Sequence, residues 1–197
     1  MTDATPHSEK IKDQGAKDRV LDIFPALMME KGYSNFTVQD ILKKANIGRT
    51  TFYAHFTSKE DVLKHSVGRL KEFLIQAVKQ HHIPQKPDTK LPFTLYFFMH
   101  IIDHHKTYDN IVGRDDFFLI ERYILRMLKD LVSAEISIST QTKEQRIKCE
   151  LIVQHLVGAI WATSIWLIER KQLSAEDVNK QFQSMAFPGL DLALKAL

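Results

Sequence analysis

With 197 residues, 44% hydrophobic and 26% charged, the chain has the size and balance of a soluble globular protein, either one domain or a small domain joined to a larger one. Seven Gly and six Pro are few for that length, which favours helices over a turn-rich β fold. The formal net charge of +3 permits a nucleic-acid partner without demanding one, and a single cysteine, Cys149, excludes an intrachain disulfide and suits a reducing cytoplasm.

Residues 1–17 are polar and lack the apolar core of a signal peptide, so a flexible N-terminal segment is expected there. Val20, Phe24, Leu27 and Met28 then recur at helical spacing, and Gly32 after Lys31 is a C-terminal stop. Pro25 falls inside this stripe. It must either kink the helix or mark where its regular part begins, because proline cannot donate to the carbonyl four residues back.

Thr37 is a cap for a second helix, with Asp40 at the third position as its capping-box partner. Val38, Ile41, Leu42 and Ala45 form the apolar face of that helix. Asn46 and Gly48 supply turn residues, and a third helix is expected near 49–55, with Phe52 and Phe56 on its packing side. "TSKED" starts a fourth helix, capped by Thr57 or Ser58 and reaching about His82. "IPQKPDTKLP" is a proline-rich loop. Further helices are expected near 93–106, 115–137, 143–171 and 175–186. The fold class is therefore all-α: residues 18–64 form a three-helix unit and 65–197 a helical bundle.

Two short helices with a tight turn form a helix-turn-helix, whose second helix presents its N-terminal residues to base edges in the major groove. Arg49 and Thr50 hold that place, the arginine suited to guanine and the threonine methyl to thymine. Tyr53 lies one turn further along the same face. Lys59 opens the fourth helix, where free backbone N–H groups favour an anion. Bulk charge adds little, since residues 1–64 hold ten Lys and Arg against nine Asp and Glu.

"TVQDILKKANIGRTTFYAHFTSKEDVL", with "EKGY" just before it, resembles the tetracycline-repressor (TetR) family of transcriptional regulators over about residues 18–64. Gly32, Thr37, Ile41, Ala45, Tyr53, Phe56 and Lys59 stand in that family's order and spacing. The resemblance implies a homodimer on a near-palindromic double-stranded DNA operator. Thr37, Tyr53 and Lys59 would hold phosphates, Arg49, Thr50 and Thr51 would read bases, and His55 would lie beside the backbone. It further implies C-terminal helices that form the dimer and take a small effector. Two departures stand out: Pro25 replaces a helix former, and Asn46 replaces the usual turn glycine.

In the C-terminal part, Phe97, His100, His104, Phe118 and Trp161 are candidates to line a pocket for an apolar or aromatic effector; aromatics at helical spacing are equally compatible with plain core. His100 and His104 have a metal-ligand spacing, but no second cluster accompanies them, and neither a metal nor a cofactor is expected. "LIVQHLVGAIWATSIWLI" (151–168) barely reaches membrane-spanning length and holds Gln154 and His155. It reads as a helix covered on both faces, with Gly158, Ala162, Ile165 and Trp166 as candidate dimer contacts. An enzyme is disfavoured: there is no His-Asp dipeptide, no glycine-rich phosphate loop and no Gly-x-Ser-x-Gly. A helical ligand- or partner-binding protein without operator binding is the other alternative.

Overall fold

The computed structural model describes residues 6–80, 90–114, 117–136, 142–170 and 172–195; side chains are described from residue 15 onward, with those of 191, 192, 194 and 195 left aside. The described residues form α-helices and one short 3-10 turn, with no strand among them. The helices are α1 (Pro6–Lys31), α2 (Val38–Ala45), α3 (Arg49–His55), α4 (Lys59–Gln80), α5 (Phe93–Asp103), α6 (His105–Ile111), α7 (Phe117–Glu135), α8 (Lys143–Ile168) and α9 (Ala175–Lys195), with the 3-10 turn at Tyr33–Asn35. The predicted loop over 83–92 lies largely outside the described residues.

Two compact units result: Met1–Arg69 with Lys106–Ile120, and Leu70–His105 with Glu121–Leu197. The segment 106–120 thus groups with the N-terminal helices.

In the first unit, α1 begins at Pro6, inside the segment expected to be flexible, and runs unbroken to Lys31. Ser8–Lys12 and Ala16–Arg19 are adequate helix formers, and Ala16 and Val20 are buried, so packing extends the helix below Phe24. Pro25 therefore lies in mid-helix and does not start it; the proline ring is exposed, on the face away from the buried Phe24 and Leu27. Gly32 ends α1 with φ 78°, and its N–H returns to the Met28 carbonyl at 2.8 Å. A side chain there would also meet the Arg114 guanidinium, which lies against the glycine.

Helices α2 and α3 both pack on α1. Val20, Phe24, Phe36, Ile41, Phe52, Phe56 and Val62 are almost wholly buried. The Phe24 and Phe36 rings meet edge to face at 5.5 Å, a geometry favoured by the ring quadrupoles. At the end of α2, Asn46 adopts the left-handed conformation (φ 51°, ψ 56°), which asparagine tolerates better than other non-glycine residues. Arg19 reaches from α1 to donate Nε–H to the Ala45 carbonyl at 3.3 Å, satisfying one orphan acceptor of that helix end.

The second unit is built on contacts among α5, α8 and α9. Thr94, fully buried on α5, joins a polar cluster. Its Oγ1 lies 2.7 Å from Asn179 Oδ1 and 2.9 Å from the Leu91 carbonyl, and it accepts from Gln183 Nε2 at 3.2 Å. Gln183 also donates to the Lys90 carbonyl at 3.2 Å. The cluster fixes the entry to α5, where Leu91 holds a left-handed φ of 49°.

Helix α8 starts at a capping box, Thr142 with Gln145. It buries Val153, Leu156, Val157, Ile160, Ser164, Leu167 and Ile168, a single stripe of period 3.6. Within the single chain this stripe covers one face of the helix. The opposite face exposes Leu151, Gly158, Ala162 and Trp166. By length and composition this helix is long and apolar enough to cross a membrane, yet its buried stripe is that of a core helix. Two elements run differently from expectation: the predicted 93–106 helix is broken at His104 into α5 and α6, and α9 continues through Pro188 to Lys195 instead of stopping near 186.

Candidate nucleic-acid interface

The start of α2 is built as its sequence requires. Thr37 is extended (φ −111°, ψ 171°), and its side chain accepts from the Asp40 N–H. Asp40 Oδ2 in turn accepts from the Thr37 N–H and hydroxyl, both at 2.8 Å. Asp40 Oδ1 receives Lys31 Nζ at 2.6 Å. The Lys31 hydrogen bond first, then those from Thr37, hold the Asp40 carboxyl well below the usual carboxylate range. The Thr37 hydroxyl carries one proton and already gives it to Asp40, so a phosphate would have to compete for it.

On α3, Phe52 and Phe56 are buried under the helix, their centroids 5.5 Å apart. This anchors a short helix whose other side is open: Arg49, Thr50 and Ala54 are exposed, and Tyr53 is 52% exposed. Thr51 and His55 are half-buried on its flanks. The Tyr53 ring packs edge-on against Phe52 at 5.3 Å, which braces the ring and leaves the phenol end outward. Arg49 lies 3.5 Å from Gln39 Oε1 on α2. Sequence reasoning did not single out Gln39, which is exposed in the first turn of α2, ten residues before Arg49. The structure thus brings Arg49, Thr50 and Tyr53 to one open face, with Thr51 and His55 at its edges.

Lys59 is placed differently from a solvent-facing phosphate ligand. Its ammonium donates to the carbonyls of Tyr33 at 2.7 Å and Phe36 at 2.6 Å. It also lies over both of their rings, 4.4 and 4.7 Å from the centroids. Ser58 is the cap of α4, its Oγ accepting from the Asp61 N–H at 3.1 Å. Thr57 donates its N–H (2.9 Å) and hydroxyl (3.2 Å) to Asp61 Oδ2. The Thr57 N–H is the main cause that lowers the Asp61 carboxyl from its ordinary value.

The residues expected to line an effector pocket differ in burial. Phe97 is fully buried core, while Phe118 is 66% exposed at the start of α7. His104 is exposed and its ring stands 4.3 Å from that of His100. Burial, with His104 adding to it, pushes His100 down to about 4, so the imidazole is neutral at pH 7. Trp161 is half-buried and donates its indole N–H to Glu121 at 2.7 Å. Among the described residues no group of three or more His, Cys, Asp or Glu is arranged to hold a metal ion. Of the candidate dimer residues, Gly158, Ala162 and Trp166 are exposed and Ile165 half-buried on α8, with the Arg170 guanidinium 4.8 Å over the Trp166 ring.

The sequence profile of bacterial regulatory proteins of the tetR family matches residues 26–65, the stretch that contains the end of α1, the 3-10 turn, α2, α3 and the first turns of α4. The chain is 33% identical over 66 residues to the biofilm operon icaADBC HTH-type negative transcriptional regulator IcaR of Staphylococcus epidermidis, covering 34% of this chain and 36% of that protein. It is 41% identical over 51 residues to the IcaR of Staphylococcus aureus strain Newman, covering 26% and 27%. The matched stretch is thus about a third or less of the length of these relatives. Among solved structures, a TetR transcriptional regulator from Streptococcus agalactiae 2603V aligns over 92% of this chain and 99% of its own, with TM-score 0.63 and 22% identity. A TetR-family regulator from Syntrophomonas wolfei aligns over 92% and 96%, with TM-score 0.59 and 16% identity. At such identities these two likenesses speak for the fold alone. Residues 26–65, which hold the helix-turn-helix, are thus similar to the tetR family of bacterial regulatory proteins, and the fold that carries them is that of TetR-family structures.

Proposed function

We propose that the protein is a transcriptional regulator, a repressor, that binds a near-palindromic DNA operator as a homodimer in the cytoplasm and is released by a small effector. The observation that carries this reading is the open face of α3. Arg49, Thr50 and Tyr53 point away from a helix whose only buried anchors are Phe52 and Phe56. A helix that served packing alone would not need an unburied arginine and phenol so placed. Arg49 and Thr50, with Thr51 at the edge, would read bases, while Tyr53 and Thr37 would meet phosphates, with His55 beside the backbone. The sign of regulation follows the IcaR proteins, which are negative regulators.

Dimerisation would use the exposed face of α8, where Gly158 and Ala162 let another helix approach closely beside Ile165 and Trp166. On α9, Met185 is 73% exposed and Ser184 and Pro188 are open as well, so two such helix pairs would close a four-helix interface. An effector must bind one spacing of the two recognition helices better than another. Phe97, His100 and Trp161 remain the candidates for its site.

The test is selection of bound duplexes from a random pool by the purified chain. A recovered motif with two-fold symmetry, its half-sites one helical turn apart or a multiple, supports the reading. Recovery of no preferred sequence overturns it.

A further inference from the structure

The geometry points to Lys59 as a positioning residue for operator recognition, acting through the turn before α2 and not through a phosphate. The inference rests on the operator-binding reading above. Two of the three ammonium N–H bonds go to the carbonyls of Tyr33 and Phe36, the residues that bracket the 3-10 turn and lead into Thr37, the cap of α2. The same ammonium lies over the Tyr33 and Phe36 rings, and both rings pack edge to face on Phe24 of α1.

One cation therefore holds the turn from two sides, by its carbonyls and by its ring faces. Charge-assisted bonds of this kind are shorter and stronger than neutral ones, and cation–π contact adds to them. Removing the ammonium leaves two partly buried acceptors without their donor. The turn, the Thr37 cap and the first turn of α2 then lose their fixed position. Gln39 lies in that turn of α2 and contacts Arg49, so the base-reading arginine inherits the disorder. Lys59 itself opens α4 and reaches back more than twenty residues to make these bonds. It is a link between the fourth helix and the entry to the second.

The two roles predict different DNA titrations of Lys59→Met, run below the melting temperature of the variant. For a positioning residue, affinity for the selected operator falls at least about tenfold. Affinity for scrambled DNA falls less than this, by no more than the loss of the neutral Thr37 contact, and the slope of log affinity against log salt stays as in the unaltered protein. For a phosphate ligand, both affinities fall and the slope drops by about 0.9 for each lost contact; that result overturns the inference. Amide hydrogen exchange supplies the second measurement. Asn35 and Thr37 should exchange at least about tenfold faster in Lys59→Met, with Phe52 and Phe56 unchanged; unchanged exchange at Asn35 and Thr37 also overturns it. If the unaltered chain selects no operator, the functional reading falls and the positioning role with it. Faster exchange would then mark a purely structural hold on the turn.

Discussion

Asp40 joins two helices by using each carboxylate oxygen for a different partner: Oδ1 takes the ammonium of Lys31, the last residue of α1, at 2.6 Å, while Oδ2 closes the capping box on Thr37. Both interactions need the charged form. The folded carboxyl is held below its unfolded value of about 3.9. A depressed carboxyl contributes its stability above the unfolded value and loses it as pH falls through the folded one. Asp40→Asn should therefore lower the melting temperature at pH 7. The gap between the two proteins should narrow as pH drops below about 4. Thermal melts followed by circular dichroism from pH 7 to pH 3 would show this; a gap that stays constant would mean the charge of Asp40 contributes nothing.

Pro25 interrupts the hydrogen-bond ladder of α1, since it has no N–H to offer the Leu21 carbonyl. Its ring is exposed, so its removal opens no cavity. In a helix interior proline is about 3 kcal/mol less favourable than alanine, a cost that bending of a helix reduces. Pro25→Ala should stabilise the chain by about 1–2 kcal/mol, seen as a rise of some degrees in calorimetry. A lower melting temperature would show that the break itself is needed for packing.

Thr94 is fully buried, and its hydroxyl serves Asn179, Gln183 and the Leu91 carbonyl together. Thr94→Val keeps the shape and removes the hydroxyl. The orphaned amides should cost about 1–3 kcal/mol, measurable by denaturant titration at unchanged m-value. A neutral substitution would mean that the amides re-pair or are reached by water.

Gly158 tests the proposed dimer. A Cβ at this position meets nothing within 4 Å in the single chain, so Gly158→Glu is harmless to the protomer fold. If the face of α8 meets its symmetry mate, the added carboxylate is buried and unpaired. Sedimentation at micromolar concentration should then shift from dimer to monomer, with helical content by circular dichroism preserved. An unshifted dimer would move the interface elsewhere.

Arg49 and Tyr53 carry the DNA reading. Arg49→Ala should weaken operator binding by about 1–3 kcal/mol and relax preference at one position per half-site. Gln39→Ala, which removes the support of Arg49 at 3.5 Å, should do the same more weakly. Tyr53→Phe removes one hydroxyl and should lower operator and scrambled-DNA affinity alike. Titrations on operators altered one base at a time would separate these; equal losses on every sequence for Arg49→Ala would reassign it to the backbone.

Much of the helix-turn-helix was legible because its signals are local. The Thr37–Asp40 box and the left-handed Asn46 follow from side chains within four residues of the backbone they serve. The face of Arg49, Thr50 and Tyr53 follows from helical spacing. What was not legible depends on distant partners. The inward turn of Lys59 is decided by carbonyls at residues 33 and 36, and its own neighbours carry no sign of them. The break at His104 has no glycine or proline to announce it, and α9 passes through Pro188 despite that local stop. Phe118, 66% exposed between the half-buried Phe117 and Leu119, shows that helical spacing alone does not place an aromatic side chain inside.

The reach of Lys59 also sets where a working fragment of this protein can be cut. A piece ending at Phe56 would hold all three helices of the motif and every proposed base reader. It would lack the cation that closes the turn at 33–36 and the buried Val62 and Leu63. At the other end, Ala16 and Val20 are part of the same core. Any portion meant to keep this core must therefore reach from about residue 16 to at least residue 63, well beyond the helix-turn-helix it displays, and 106–120 belongs to the same compact unit.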